Sequence, residues 1–470
     1  MTRRGWDWVE PEDFFVAHVA GRDRSWWLDG GGARAWSGRM TYIGWLRPSD
    51  LSVTYSVATG VAAHGSGSAV AGHRPPPSHA DVSSDLPAAT DIFGWLAEFG
   101  RRRGGRALGR GEGRTSGWVG FFGYAARSDL PTRQSAEPTY DACWLRAQRR
   151  VAFDHERRRV YAVAPPEQLT EWEDELDGLL AVTPRAATLG AMPPAEVVST
   201  CSASEYSGAF HAVQEHLRLG NSYEVNLTYR TEVASQADPV DVYRRLRASS
   251  PAPYAALISH GGMRLLSSSP ERFATISAHG EIETRPIKGT TPRSQDAACD
   301  EDAVRRLQHD PRYRAENLMI VDLLRNDLSR VCSPGTVAVT DLMHVESYPS
   351  VHQLVSTVSG RLRPEVSTME ALEALFPGGS MTGAPKLRTM QIIADVESSA
   401  RGVYSGAVGW ILDDSSADLG IVIRSLVYRD GVYTLGTGGG ITVRSTCSDE
   451  YDETRWKAQR LLAALGVGSA

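Results

Sequence analysis

The sequence predicts an α+β fold, and three observations carry that expectation. The stretch "YEVNLTYR" (223–230) alternates strictly, with Tyr223, Val225, Leu227 and Tyr229 on one strand face and Glu224, Asn226, Thr228 and Arg230 on the other. Two long runs, "AENLMIVDLLRNDLSRV" and "DEYDETRWKAQRLLAAL", read as helices. Neither the regular strand–helix rhythm of a doubly wound sheet nor an early G-x-G-x-x-G is present, so the α+β class is favoured.

The chain has 470 residues, 41% hydrophobic and 23% charged, enough for a large core in one big domain or two smaller ones. A formal charge of −6 gives no global pull toward nucleic acid. With no run of 18 apolar residues, a membrane span is not expected. The start, "MTRRGWDWVEPEDFF", is positive but has no apolar core, so a signal peptide is not expected either. Cys143, Cys201, Cys299, Cys332 and Cys447 are scattered and form no C-x-x-C pair. That argues against structural zinc or a disulfide framework and for a reducing cytoplasm. None lies in a G-x-C-x-G turn, so no thiol nucleophile of the glutaminase kind is encoded.

Taken in order, residues 60–90 are rich in Gly, Ser, Pro and Ala and are expected to form a disordered loop. Residues 101–115 are basic and glycine-rich; without interleaved aromatic residues for base stacking, a solvated loop is favoured over an RNA-binding arm. The break "VTPRAATLGAMPPAEV" separates an N-terminal region, 1–190, from a denser region, 198–466. There, Ser202 and Glu205 have capping-box spacing, and Phe210, Val213 and Leu217 form one helical stripe before Gly220. "VYTLGTGGGITV" reads as two strands around glycines, and "DLGIVIRSLVY" as one buried strand interrupted by Arg424.

Several residues could carry chemistry. Glu450, Glu453 and Lys457 share one helical face, as in an ordinary surface Glu–Lys pair. Glu316 precedes the apolar Leu318, Met319, Ile320 and Val321. Should the two helices face each other, three glutamates converge with Lys457 as their basic partner, a set of hard oxygen donors suited to Mg²⁺. "GTGGG" (436–440) suits either anion binding or a tight hairpin, and "GSMTGAPK" (379–386) is a second glycine turn without Walker spacing. Arg424 suits a carboxylate ligand or a structural ion pair. Glu271, fixed by Pro270, is either a general acid in a dry pocket or a turn partner of Arg272. Lys288, in "EIETRPIKGTTPR", is a solvated turn charge or a nucleophile, the latter only as the free amine.

From about 200 to 465, ten ordered blocks, among them "SYEVNLTYR", "SSSPERF", "TRPIKGTTPR", "YPSVHQLVSTVSGRL", "LFPGGSMTGAPKLRTMQII", "IVIRSLVY", "GTGGGI" and "DEYDETRWKA", resemble the chorismate-utilising enzymes. The earlier part is similar chiefly around "WWLDGGGARAWSGRMTYIGW". The resemblance implies two large stacked antiparallel sheets with outer helices, both chain halves contributing. A lysine before the "GT", where most branches have alanine, implies the aminodeoxychorismate synthase branch (component I), on the p-aminobenzoate route that feeds folate or a specialised metabolite; anthranilate formation is the alternative. Within that family Lys288 would attack carbon 2 of chorismate while Glu271 protonates the departing carbon-4 hydroxyl, and ammonia would then add at carbon 4. The resemblance further implies that Glu316 and Glu453, with Glu450 close by, bind Mg²⁺. It assigns the substrate carboxylates to Gly289, Thr290, Tyr404, Arg424, Gly438, Gly439, Gly440 and Lys457. Ammonia would come from a separate glutamine amidotransferase subunit, and a lyase would consume the product. Three positions depart from the pattern. Gln353 follows His352 where the anthranilate branch carries histidine, Glu224 replaces a glutamine or a lysine base, and Asp29-Gly30 replaces a tryptophan-holding serine.

Overall fold

In the computed structural model, which describes residues 5–30, 38–64, 91–102, 116–134, 140–348 and 351–468, alternation along the strands builds three hydrophobic layers. The strand Tyr254–His260 illustrates it. Ala256 and Ile258 point one way, to Trp26, Val119, Phe121, Leu145 and Val408, and Leu257 points the other way, to Trp27, Tyr243 and Leu266. The first layer lies between two sheets, since its residues come from both. Among the described residues one sheet has twelve strands and the other eleven, and the pairings that build them are antiparallel. The outer face of the twelve-stranded sheet packs on Phe14, Phe15, Trp172 and Leu461 of flanking helices. The outer face of the other packs on Phe93, Trp95, Ile320, Leu324 and Leu372. Each such buried side chain contributes about 1.5–3 kcal/mol. The expected α+β architecture of stacked antiparallel sheets with outer helices is the one observed.

Strands from the early part of the chain complete both sheets. Ser25–Asp29 pairs with Tyr254–His260, and Gly117–Phe122 pairs with Ala407–Leu412. Asp29, at the position that departs from the family pattern, is buried and accepts hydrogen bonds from Thr41 and Arg247. The expected loop at 60–90 begins later than anticipated: Gly60–His64 is a strand paired with Ser52–Ser56, and the rest lies outside the described residues. Of the basic stretch, Arg101 and Arg102 end the helix Ile92–Arg102, and 103–115 lie outside the described residues. No helix among the described residues is long and apolar enough to cross a membrane.

Three local features position the charged residues. The first is a helix laid on a strand. Ser202 and Glu205 form the capping box that starts the helix Ala203–Arg218. Phe210, Val213 and Leu217 of that helix pack on Val225, Leu227 and Tyr229 of the strand Glu224–Ser235. Tyr223 lies just outside the strand and is exposed, so that face begins at Val225. The glycine stretch, in turn, does not divide into two strands. Val432–Ile441 is continuous, because Asn226, Leu227 and Thr228 pair in register with Gly440, Gly439 and Gly438. Nor is "DLGIVIRSLVY" one strand: Ala417–Ile421 belongs to the eleven-stranded sheet and Ser425–Arg429 to the other. The chain crosses between sheets at Arg424, whose φ of 52° is a left-handed conformation costing about 1–2 kcal/mol in a residue with a Cβ.

Candidate active site

The glycine strand forms a floor on which charged groups meet. A Cβ at Gly440 would lie 2.2 Å from Glu224 Oε1 and 3.2 Å from Lys288 Nζ. One at Gly439 would lie 3.1 Å from Glu450 Oε2 and 3.8 Å from Lys457 Nζ. At Gly438 it would collide with the Leu227 carbonyl, 2.4 Å away. The missing side chains thus leave room for the Glu224–Lys288 pair at Gly440 and for Glu450 and Lys457 of the last helix at Gly439. The tight-hairpin alternative is excluded, since the run is a straight strand.

Lys288 sits on the strand Ile287–Pro292, with its side chain 11% exposed and ion-paired to Glu224, itself 1% exposed. The solvated-turn alternative does not hold. Burial disfavours the ammonium, but Glu224, Glu316 and Glu271 outweigh it and hold the amine above its ordinary value. The free amine that a nucleophile requires is therefore not the resting form, because carboxylates outnumber cations around it. Glu271 is buried, and burial pushes its carboxyl up to about 7 against the opposing pulls of Ser380 and Lys288. Its Oε1 has no hydrogen-bond partner among the described residues. Arg272 pairs instead with Glu283, so the turn-partner alternative for Glu271 fails as well.

The two helices carrying glutamates are Pro311–Ser329 and Cys447–Ala464. Glu316 is half-buried, and burial raises its carboxyl to about 7, with Glu224 and Glu450 adding repulsion. Burial likewise raises Glu450. Glu453 is exposed and paired with Lys457 at 2.8 Å, which holds its carboxyl below the usual range. Lys457 is not the sole cation here: Arg312 acts on all three glutamates, and Lys288 on Glu316 and Glu453. Among the described residues no three acidic, histidine or cysteine side chains close into a ready metal cage. The donor set still fits a hard cation held by one or two carboxylates and completed by water and substrate oxygens, because Glu316 is desolvated and among the described residues no ion pair reaches it.

Arg424 is half-buried, with no carboxylate ion-pair partner among the described residues. Its Nη1 donates to the Lys457 carbonyl at 2.9 Å, and burial lowers its pKa to about 10, leaving it a cation at neutral pH. The structural ion pair is therefore absent, and a carboxylate ligand would relieve the desolvated charge. Tyr404 is buried, its ring under the Arg230 guanidinium at 4.6 Å and against Gly436. Lys457 Nζ also donates to the Gly438 carbonyl at 2.9 Å, tying the last helix to the glycine floor. Gly289 has a φ of 84°, and a Cβ would lie 2.8 Å from Leu307, so backbone conformation and packing together favour glycine there. Thr290 is half-buried on the same strand, opposite Gln353.

Sequence reasoning did not assign Glu224 to Lys288, and it missed Arg312. For Glu224 a signal existed: it opens the polar face of a strand whose other face is apolar, yet that polar face is also buried. Arg312 offered none, since an arginine beside a helix start is commonplace.

Residues 78–463 match the family of chorismate binding enzymes. The chain is 39% identical over 469 residues to an aminodeoxychorismate synthase of Streptomyces pristinaespiralis, a span covering 96% of this chain and 63% of that one. It is 37% identical over 370 residues to anthranilate synthase component 1 of Streptomyces coelicolor, covering 74% of this chain and 72% of the relative. Its fold is similar to that of anthranilate synthase component I from Streptococcus pneumoniae, with a TM-score of 0.73, 24% identity and coverage of 90% and 92%.

Proposed function

The chain belongs to the chorismate binding enzymes, and from that premise we propose that it converts chorismate and ammonia to 4-amino-4-deoxychorismate. The observation that carries this reading is the place of Lys288, 11% exposed and set among Glu224, Glu271 and Glu316 rather than solvated in a turn. Lys288 bonds to carbon 2 of chorismate as the carbon-4 hydroxyl leaves as water, taking its proton from Glu271. Ammonia then bonds to carbon 4, the ring double bonds shift back, and the lysine departs. A carboxyl with a pKa of about 7 is matched to donating a proton near neutrality.

Arg424, Tyr404 and Lys457, over the glycines 438–440, would hold the two substrate carboxylates, with Gly289 and Thr290 beside the lysine. Glu316 and Glu453, with Glu450 close by, would hold Mg²⁺, which when bound neutralises substrate carboxylate charge. Ammonia would come from a separate glutamine amidotransferase, and a lyase would take the product toward p-aminobenzoate. The unbridged cysteines support a reducing compartment, the cytoplasm.

The second reading, anthranilate formation, draws on the relative from Streptomyces coelicolor. Product analysis separates the two. Chorismate, Mg²⁺ and an ammonium salt, followed by the lyase, should yield p-aminobenzoate. Anthranilate in its place would overturn the carbon-4 assignment.

A further inference from the structure

An ammonium cannot attack carbon, so Lys288 has to lose a proton before its nitrogen can bond. One side chain is placed to take it. Glu224 is the carboxylate in ion-pair contact with Nζ, and among the described residues its side chain makes no other hydrogen bond. Its second oxygen, Oε2, is buried with no hydrogen-bond partner among the described residues, so no other donor occupies it. The pair also occupies room that exists only because position 440 is glycine. Three further carboxylates act on the amine: Glu271 from the segment before strand Arg272–Ile276, Glu316 from helix Pro311–Ser329, and Glu453 from the last helix. None of the three is in ion-pair contact with Nζ.

Resting on the lysine-nucleophile reading, we propose that Glu224 is a catalytic base that accepts the ammonium proton of Lys288 and so releases the attacking amine. One N–H bond breaks as an O–H bond forms on Glu224. The freed electron pair makes the bond to carbon 2, the double bonds move round the ring, and the carbon-4–oxygen bond breaks with the Glu271 proton leaving in water. After ammonia bonds to carbon 4 and the lysine–carbon bond breaks, the departing amine regains its proton from Glu224. The new carbon-4 ammonium returns a proton to Glu271. The cycle closes with chorismate and ammonia consumed, and the aminated product and water formed.

The test is the pH dependence of kcat/KM for chorismate with ammonium as nitrogen source. Glu224→Gln keeps a hydrogen-bonding partner for Lys288 but cannot take its proton. At pH 6 it should lose on the order of 10²–10³-fold relative to wild type. That deficit should shrink about tenfold per pH unit as hydroxide takes over, which a merely structural role would not produce. Glu224→Asp, which keeps a carboxylate and guards against a Gln variant that fails to fold, should be slower but retain the wild-type pH dependence. A Gln variant equal to or faster than wild type would overturn the proposal, as would a deficit that does not move with pH or an Asp variant whose pH dependence tracks hydroxide. Lys288→Ala distinguishes the premise from the proposal. If it still aminates carbon 4, the nucleophile reading itself falls. If it is inactive while Glu224→Gln is unimpaired, only the role of Glu224 falls.

Discussion

Two lysines in this molecule are buried beside a carboxylate to nearly the same degree, yet their amines differ in opposite directions. Lys288 with Glu224 is 11% and 1% exposed, and Lys386 with Asp327 is 14% and 3% exposed. Burial pulls both amines down. At Lys386 the net result is downward, because Asp327 alone resists it while Arg127 and Arg330 add repulsion. At Lys288 three carboxylates reverse the sign. A depressed pKa taken alone would select Lys386 as the nucleophile. Its contacts say otherwise: Nζ spans Asp327 at 2.7 Å and the Leu375 carbonyl at 2.8 Å, bracing two helices. Among the described residues Lys288 has one hydrogen-bond partner, the buried carboxylate of Glu224. The charged neighbourhood, more than burial, separates the two amines: three carboxylates act on Lys288, whereas one carboxylate and two arginines act on Lys386.

Alanine at each lysine should break the symmetry most sharply. Lys288→Ala should lower carbon-4 amination on the order of 10³-fold or more, as removal of a nucleophile does. Lys386→Ala leaves Asp327 buried without its partner and should destabilise the fold by about 3–5 kcal/mol. Denaturant melts and product assays on both variants check this. A Lys386→Ala protein as stable as wild type would remove the basis of the contrast.

Glu271→Gln should have the next largest effect, about 10²-fold in kcat/KM. The sign of its pH dependence follows from the raised carboxyl. The donating form is protonated, so wild-type activity is full below pH 7 and falls as pH rises through about 7. The Gln variant should lack that alkaline limb. A limb that persists in the variant would assign the titration elsewhere.

How far the residues announced this arrangement varied with the range of the interaction. The helix at 203 was legible because its capping box and apolar stripe are local. The strand at 224 was legible because one of its faces is apolar. The glycine strand was not, since glycines carry no alternation and their partners, 226–228, lie far away in the chain. The crossing at Arg424 was hidden for a similar reason: both flanking segments are buried strands, and only the sheets they join reveal the break. The charges were read one by one and their partners were not. Glu224 lies 64 residues from Lys288, and the amine's protonation depends on three carboxylates from three separate segments.

The finest test lies in the floor beneath the pair. A methyl at Gly440 would stand 2.2 Å from Glu224 Oε1, the far end of a movable side chain, so the carboxylate should swing aside rather than the strand deform. Overpacking of that kind costs about 1–3 kcal/mol, so Gly440→Ala should slow amination about tenfold. The same displacement should loosen Glu224 from Lys288 and let the amine titrate at lower pH, seen as earlier onset of acylation at Lys288 by mass spectrometry, with Lys386 as internal reference. At Gly439 the methyl would be 3.1 Å from Glu450 Oε2 and far from Lys288, so Gly439→Ala should leave the Lys288 profile in place and change the rate only a few-fold. Equal shifts at Lys288 in both variants would mean that its proton affinity is set by the whole cluster and not by the single carboxylate of Glu224.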